Sequence, residues 1–299
     1  MADGTGEADK LAAYLEQRNR LIRLAYRHLG SASEAEDAVQ DAWLRFANAP
    51  QAVDPARYLS RIVTNLCLDR LKSALARRET YVGPWLPEPI AGDAAAADNA
   101  GDAALDISYG VMRALERLSP QERAALFLHD LFDLTFDEIA QTLHRSPAAC
   151  RQMAVRARGA LKSSKSRFNP SPDDVERFVA QFTQTVRTGD LEPLKMLLAA
   201  DVEFVSDGGG KATAALNVVK GADNVARLLF GLARKELAGA EVKTFNTTIN
   251  GAPALVLSIN GRLDQTMSFG LDPAGRISAI YVVRNPDKLE RIQLPPVEG

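Results

Sequence analysis

Arginine carries most of the chemistry that this sequence could perform. Residues 145–167 hold seven bases (Arg145, Arg151, Arg156, Arg158, Lys162, Lys165, Arg167) and no acid. In the stretch SPAACRQMAVRARGALK, Cys150, Met153, Ala157 and Leu161 share one helical face, which leaves Arg151, Gln152, Val155, Arg156 and Arg158 on the opposite side. Guanidinium and amide groups so arrayed can reach phosphates and the guanine or adenine edges of a major groove. A second stretch, 57–78, holds six bases (Arg57, Arg61, Arg70, Lys72, Arg77, Arg78) against one acid, Asp69. Between the two, residues 79–106 hold six acids (Glu79, Glu88, Asp93, Asp98, Asp102, Asp106) and no base. A net charge of only -2 therefore conceals two basic helices on an acidic tether, an arrangement suited to two anionic contacts. Two merely solvated helix faces are the bland alternative.

Other chemistries find less support. Cys67 and Cys150 lie far apart and His28, His129 and His144 are scattered, so metal-ligand spacing is absent and neither a metal nor a cofactor is expected. All three histidines precede residue 145, which excludes a histidine-based site further on. Asp264 beside Arg262, with Asp201 and Tyr281, is the remaining acid–base set, and geometry must decide it. Asp37, Gln40, Asp41 and Arg45 fall at i, i+3, i+4 and i+8, one polar helical stripe fit for a charged protein partner.

The elements that must hold these residues can be read from periodicity and caps. The chain of 299 residues is 46% hydrophobic and 25% charged with mean hydropathy -0.14, the composition of a soluble protein of two or three domains. No run of about 18 apolar residues could span a bilayer. The start, MADGTGEADK, lacks the basic and apolar parts of a secretory signal, so a reduced, cytoplasmic protein without membrane contact is expected. A helix from Leu11 ends at Gly30; Ser33 with Glu36 is expected to box the start of a second; Asp54-Pro55 opens a third. Ser119 with Glu122, Thr135 with Glu138, and Ser146-Pro147 open three more. Of these, a short helix, a turn at His144-Arg145 and the arginine-rich helix make a helix-turn-helix.

Residues 81–104 have no amphipathic period and read as a linker. Its Trp85-Leu86-Pro87-Glu88-Pro89 is odd, because linkers rarely expose tryptophan, and docking on another surface is expected. Beyond Pro172 come two amphipathic helices, then period-two segments separated by Asn250-Gly251, Asn260-Gly261 and Asp272-Pro273-Ala274-Gly275. That order implies an α+β domain, helices covering one face of a curved antiparallel sheet. Asp207-Gly208-Gly209-Gly210-Lys211 follows a strand, and three glycines point to close backbone approach, with Asp207 and Lys211 as polar anchors. After the last strand, Asn285-Pro286-Asp287-Lys288-Leu289 leads to Leu289 and Ile292, which still need burial.

On these residues the chain resembles the bacterial extracytoplasmic-function sigma factors. Ala35-Glu36-Asp37-Ala38-Val39-Gln40-Asp41-Ala42-Trp43-Leu44-Arg45 is similar to the family's core-polymerase-binding helix, and Tyr58-Leu59-Ser60-Arg61-Ile62-Val63-Thr64-Asn65 to the helix that opens the minus-ten element. Leu134-Thr135-Phe136-Asp137-Glu138-Ile139-Ala140 and Arg156-Ala157-Arg158 resemble region 4. Residues 173–299 resemble a SnoaL-like cone, and the Trp85–Pro89, Asp207–Lys211 and Asn285–Leu289 segments resemble hallmarks of the subgroup that carries this fusion. The resemblance implies a multidomain fold: a region 2 helical bundle (8–80), an acidic, proline-rich linker (81–104), a region 4 helix-turn-helix (105–168) and an α+β SnoaL-like regulatory domain (173–299).

It further implies a sigma factor that binds core RNA polymerase through its beta and beta-prime subunits with Asp37, Gln40, Asp41 and Arg45. Arg57, Arg61, Asn65 and Arg70 would hold the single-stranded minus-ten element; Arg151, Gln152, Val155 and Arg156 would read double-stranded minus-35 DNA, with Arg158 on phosphate. Trp85, Leu86, Pro87, Asp207, Gly208, Gly209, Gly210, Lys211, Asn285, Pro286, Asp287, Lys288 and Leu289 would seat the C-terminal domain and regulate the protein in place of a separate anti-sigma protein. A small-molecule ligand in the cone is a further expected partner, and no catalytic residue is expected. A ligand-responsive helix-turn-helix regulator independent of polymerase, and a SnoaL-type isomerase or cyclase tethered to DNA, are the rival readings.

Overall fold

A computed structural model describes residues 3–49, 54–91, 107–162, 168–236 and 239–294. The acidic residues Asp93, Asp98, Asp102 and Asp106 of the tether, and the basic Lys165 and Arg167, lie outside them. The chain divides into two compact units: residues 1–80, 101–107 and 112–163 form the first, and residues 81–100, 108–111 and 164–299 the second.

The helical unit is built from α1 (Asp3–Leu29), α2 (Ala32–Ala47), α3 (Pro55–Glu79), most of α4 (Tyr109–Glu116), α5 (Pro120–Phe132), α6 (Phe136–Leu143) and α7 (Pro147–Lys162). Gly30 stops α1 with φ 71°, its N–H donating to Tyr26 O over 2.7 Å. The cap of α2 is Ser31, whose hydroxyl accepts from Glu34 N; the expected Ser33–Glu36 box does not form, because α2 begins two residues earlier. Asp54 caps α3, with Pro55 in its first turn. Ser119 with Glu122 and Thr135 with Glu138 form full capping boxes on α5 and α6, as the spacing predicts. His144 closes α6 in the left-handed region (φ 53°), which turns the chain into α7.

The second unit contains α8 (Pro172–Thr188), α9 (Glu192–Leu197), β1 (Leu198–Asp207), β2 (Val219–Lys220), α10 (Ala222–Glu236), β3 (Val242–Ile249), β4 (Ala252–Ile259), β5 (Arg262–Leu271), β6 (Ile277–Val283) and α11 (Pro286–Leu289). Asn250-Gly251 and Asn260-Gly261 take positive φ and make the two tight hairpins the dipeptides predict. The sheet order is β2-β1-β6-β5-β4-β3, and β1 runs parallel to β6, so the sheet is mixed rather than purely antiparallel. The sequence reading also passed over α10, although Val225, Ala226, Leu229 and Ala233 bury its inner stripe.

Both sheet faces are covered. One packs Phe204, Met267, Phe269 and Val282 against Val175 and Phe178 of α8, Leu194 of α9 and Leu229 of α10. The other buries Val205, Val256, Tyr281 and Val283 under Leu86, Tyr109, Leu289 and Ile292. Hence β6, ISAIYVV, is buried at every position and reads as an unbroken apolar run. Residues 81–91, read from sequence as a linker with Trp85–Pro89 docked on another surface, are part of this unit, and Ala91 bridges Ile249.

Candidate nucleic-acid faces and the linker clasp

On α7, Cys150, Met153, Ala154 and Ala157 are buried, so the period of 3.6 turns Arg151, Gln152, Val155 and Arg156 outward together. Val155 is 58% exposed, an apolar side chain in solvent among these polar ones. The Arg151 guanidinium lies 5.2 Å from the Phe136 ring centre, and Arg156 is 3.2 Å from Glu122 with two thirds of its side chain in solvent. Arg158 differs from its neighbours: it is half-buried and paired with both carboxylate oxygens of Asp130. The Ser119 backbone N–H holds the Glu122 carboxyl below its ordinary range, which keeps a negative charge beside Arg156.

The four α3 residues divide. Arg57 donates to Asp133 O at 2.8 Å and stands 3.6 Å from Glu138, while Arg61 donates to Thr142 Oγ1 at 3.0 Å. Both are thus engaged by α6 and its approach. Asn65 is exposed and lines, with Lys72, Gln121, His144 and Arg145, a cleft of about 650 Å³. Arg70 donates to Glu34 O at 2.8 Å and to Asp41 Oδ2 at 2.6 Å, which ties α3 to α2. Asp41 therefore stands in an ion pair within the chain, whereas Asp37, Gln40 and Arg45 are exposed beside Leu44, itself 57% exposed.

Asp207 gathers the hallmark segments. It is fully buried at the end of β1, and its carboxylate accepts from Tyr81 OH (2.6 Å), Leu86 N (2.8 Å), Gly209 N (3.1 Å) and Lys288 Nζ (2.7 Å). One buried anion with four donors, one of them charged, satisfies the condition for keeping a carboxylate out of water. The Lys288 ammonium also lies 4.2 Å from the Trp85 ring centre and 5.1 Å from that of Tyr81, and donates to Leu86 O. Burial, and the hydrogen bond to Asp207, push the Tyr81 phenol well above its usual range, so it stays a donor.

The glycines behave as their number suggests. Gly209 has φ 59°, and a Cβ there would strike the Asn285 amide; one at Gly208 would strike Ala212 O. Asn285 Nδ2 donates to Tyr81 OH at 2.8 Å, Asn285 caps α11 and Lys211 pairs with Asp287 at 2.6 Å. Tyr109 completes the seat: its ring stacks on Tyr281 at 5.5 Å and its hydroxyl donates to Pro87 O. Pro87 and Leu86 are buried, as is Leu289. Sequence reasoning missed Tyr81, Tyr109 and Arg284. Only Tyr81 carried a signal, an aromatic four residues before Trp85 on the same tether.

The suspected acid–base set is not assembled. Asp264 pairs with Arg284 at 3.0 Å, not with Arg262, which is exposed. Tyr281 belongs to the cluster on the opposite sheet face, and Asp201 is exposed.

Two family models match the chain: Sigma-70 region 2 over residues 13–77 and Sigma-70 region 4 over residues 110–161. The chain is 37% identical over 292 residues to a Mycobacterium tuberculosis protein named ECF RNA polymerase sigma factor SigJ, covering 91% of this chain and 90% of that one. It is 31% identical to a probable ECF RNA polymerase sigma factor, SigI, of the same species, covering 94% and 95%. The crystal structure of the M. tuberculosis SigJ protein superposes with TM-score 0.73 at 33% identity, over 93% of this chain and 98% of that one.

Proposed function

The chain belongs to the extracytoplasmic-function RNA polymerase sigma factors, and on that footing we propose how its parts divide the work of promoter-specific initiation. Asp37, Gln40, Asp41 and Arg45 of α2 meet the beta and beta-prime subunits of core polymerase, with Leu44 supplying apolar contact among the charges. The outward face of α7 enters the major groove of the minus-35 element, Arg151, Gln152, Val155 and Arg156 meeting base edges. Arg158 can reach phosphate only by leaving Asp130. Arg57, Arg61 and Asn65 hold the unpaired minus-ten strand once α6 has withdrawn from α3, and Arg70 joins them on leaving Asp41. The protein works in the cytoplasm. Its C-terminal domain performs no catalytic step, a reading supported by the separation of Asp264 from Tyr281.

The C-terminal domain regulates by holding the tether. The observation that carries this reading is Asp207, buried and shared between Tyr81 and Leu86 of the tether and Lys288 of the terminal segment. Residues 81–91 fastened in this clasp are withheld from the path between regions 2 and 4 that a sigma factor's linker follows through polymerase. The test is reconstituted transcription with core polymerase, comparing the full chain with Lys288→Met and with a chain ending at residue 284. Both changes remove the ammonium from Asp207 and are expected to raise promoter-dependent transcription. A chain ending at residue 169, which lacks Asp207 itself, need not give the same result. Equal transcription by all four proteins would rule out regulation by the clasp.

A further inference from the structure

Each arginine of α7 is met from behind by a residue of α5 or α6: Arg151 by the Phe136 ring, Arg156 by Glu122 and Arg158 by Asp130. Of the three, Glu122 has the geometry that bears on reading a sequence, because its carboxylate is divided between two tasks. Its Oε2 accepts from the Ser119 backbone N–H and from the Ser119 hydroxyl, each at 2.9 Å, and so completes the capping box of α5. Its Oε1 stands 3.2 Å from Nε of Arg156. The Glu122 side chain is 18% exposed and that of Arg156 66%, so a mostly buried, fixed acid stands beside an arginine that reaches into solvent. Among the described residues Arg156 makes no other ion pair or hydrogen bond.

We propose that Glu122 is a positioning residue for promoter reading: by occupying Nε it fixes the Arg156 guanidinium end-on, with Nη1 and Nη2 presented together to a guanine of the minus-35 element. A guanidinium carries five N–H donors in a planar fork and can meet a base edge sideways, through Nε and one Nη, or end-on, through both Nη atoms. A carboxylate on Nε removes the sideways approach. The end-on pair of donors matches O6 and N7 of guanine, whereas adenine sets a donor in place of the first acceptor. Charge acts in the opposite direction from geometry. A cation partly cancelled by its neighbouring carboxylate draws phosphate weakly, and the acid itself repels it. The pair thus weakens binding to every sequence while sharpening the preference for one.

This role rests on the reading of α7 as the minus-35 helix and adds to it a residue that lies off the DNA face. Glu122 never needs to touch a base; it acts through Arg156, and the Ser119 cap that anchors its other oxygen keeps the brace from swinging. The two tasks of the carboxylate can be separated by substitution. A capping box is served by glutamine as well as by glutamate, so Glu122→Gln keeps the start of α5 and withdraws the charge from Arg156.

The experiment is selection from a duplex library randomised across the minus-35 element. The library is bound by holoenzyme reconstituted from core polymerase and the full chain, as parent, Arg156→Ala, Glu122→Gln or the double variant, and the bound pools are sequenced. The position whose preference vanishes in Arg156→Ala is the one that Arg156 reads, and guanine is expected there in the parent pool. Glu122→Gln is expected to lower the guanine preference at that position by roughly five-fold or more, leaving the other positions as they were. The same variant is expected to bind a scrambled duplex more tightly than the parent does, most of all at low salt. In the Arg156→Ala background, Glu122→Gln is expected to change nothing further at the marked position. A merely structural role would lower every preference together. The proposal is overturned by an unchanged guanine preference in Glu122→Gln, by a loss spread over all positions, by a further loss in the double variant, or by a base other than guanine at the marked position. If Arg156→Ala marks no position, the reading of α7 fails and this proposal with it. A position marked by Arg156→Ala but untouched by Glu122→Gln overturns this proposal alone.

Discussion

At the scale of single residues, burial decides which side chains are spoken for. His28 is fully buried with its ring edge-on to Phe127 at 5.0 Å, and burial together with Arg123 and Arg27 pulls its pKa to about 3. The unfolded chain binds this proton below about pH 6.5, whereas the folded one refuses it until about pH 3. Stability is therefore lost as pH falls through that window, by roughly 2 kcal/mol between pH 7 and pH 5. His28→Leu is expected to flatten the urea midpoint over that range, followed by Trp43 emission in a Trp85→Phe background; an unchanged pH slope would show that His28 is not responsible. The arginines of α7 give a second expectation. Arg156→Ala should relax preference at one minus-35 position by about 1–3 kcal/mol, while Arg158→Ala weakens all promoters alike and also loses its pair with Asp130. Gel-shift titrations on cognate and scrambled elements separate the two, and equal losses on both elements for both variants would contradict the roles. Single residues were legible in sequence where their type was costly: Asp207 beside three glycines, or tryptophan in a linker. Tyr109 and Arg284 were not, because their roles arise from partners 172 and 20 residues away, Tyr281 and Asp264.

Among the elements, local signals fixed what local physics can fix. The boxes at Ser119 and Thr135, the cap at Asp54 and the two Asn-Gly hairpins depend on neighbours within four residues, and each formed where the spacing put it. The misplaced box on α2 has the same cause: Ser31 with Glu34 meets the rule as well as Ser33 with Glu36, and the end of α1 at Gly30 selects the first. Helix α10 was overlooked because the residue before it is Gly221, which has no side chain to cap it. The parallel β1–β6 pair joins strands about seventy residues apart, so no turn signal could reveal it. Because α6 carries both the short arm of the helix-turn-helix and the contacts to Arg57 and Arg61, its cap matters twice. Thr135→Ala is expected to cost about 1 kcal/mol of stability in the helical unit and to loosen α6 from α3. A urea midpoint equal to that of the parent protein would refute it.

For the molecule as a whole, the helical unit holds its two proposed nucleic-acid faces in different states. The outward side of α7 is open, while Arg57 and Arg61 of α3 are satisfied within the chain by Asp133, Glu138 and Thr142. Those contacts are modest: one ion pair at 3.6 Å between partly exposed groups, and two hydrogen bonds. On the proposed reading polymerase and promoter displace them without unfolding either part, whereas a covalent tie cannot be displaced. Asp69 and Gln121 line the cleft beside these contacts, Asp69 from α3 and Gln121 from the start of α5. Cysteines placed there, Asp69→Cys and Gln121→Cys, can be joined by a short bismaleimide. The native Cys67 and Cys150 are buried, and burial raises both thiols above their usual range, so they are poor competitors for the reagent. The tied protein is expected to bind core polymerase through the exposed stripe of α2 as the untied one does, yet to melt promoter DNA at least about ten-fold more slowly. The same two substitutions without the tie should melt it at the parent rate. Equal melting by tied and untied protein would mean that Arg57 and Arg61 reach the minus-ten strand without α6 leaving α3, and that the packing of the helical unit is no barrier to initiation.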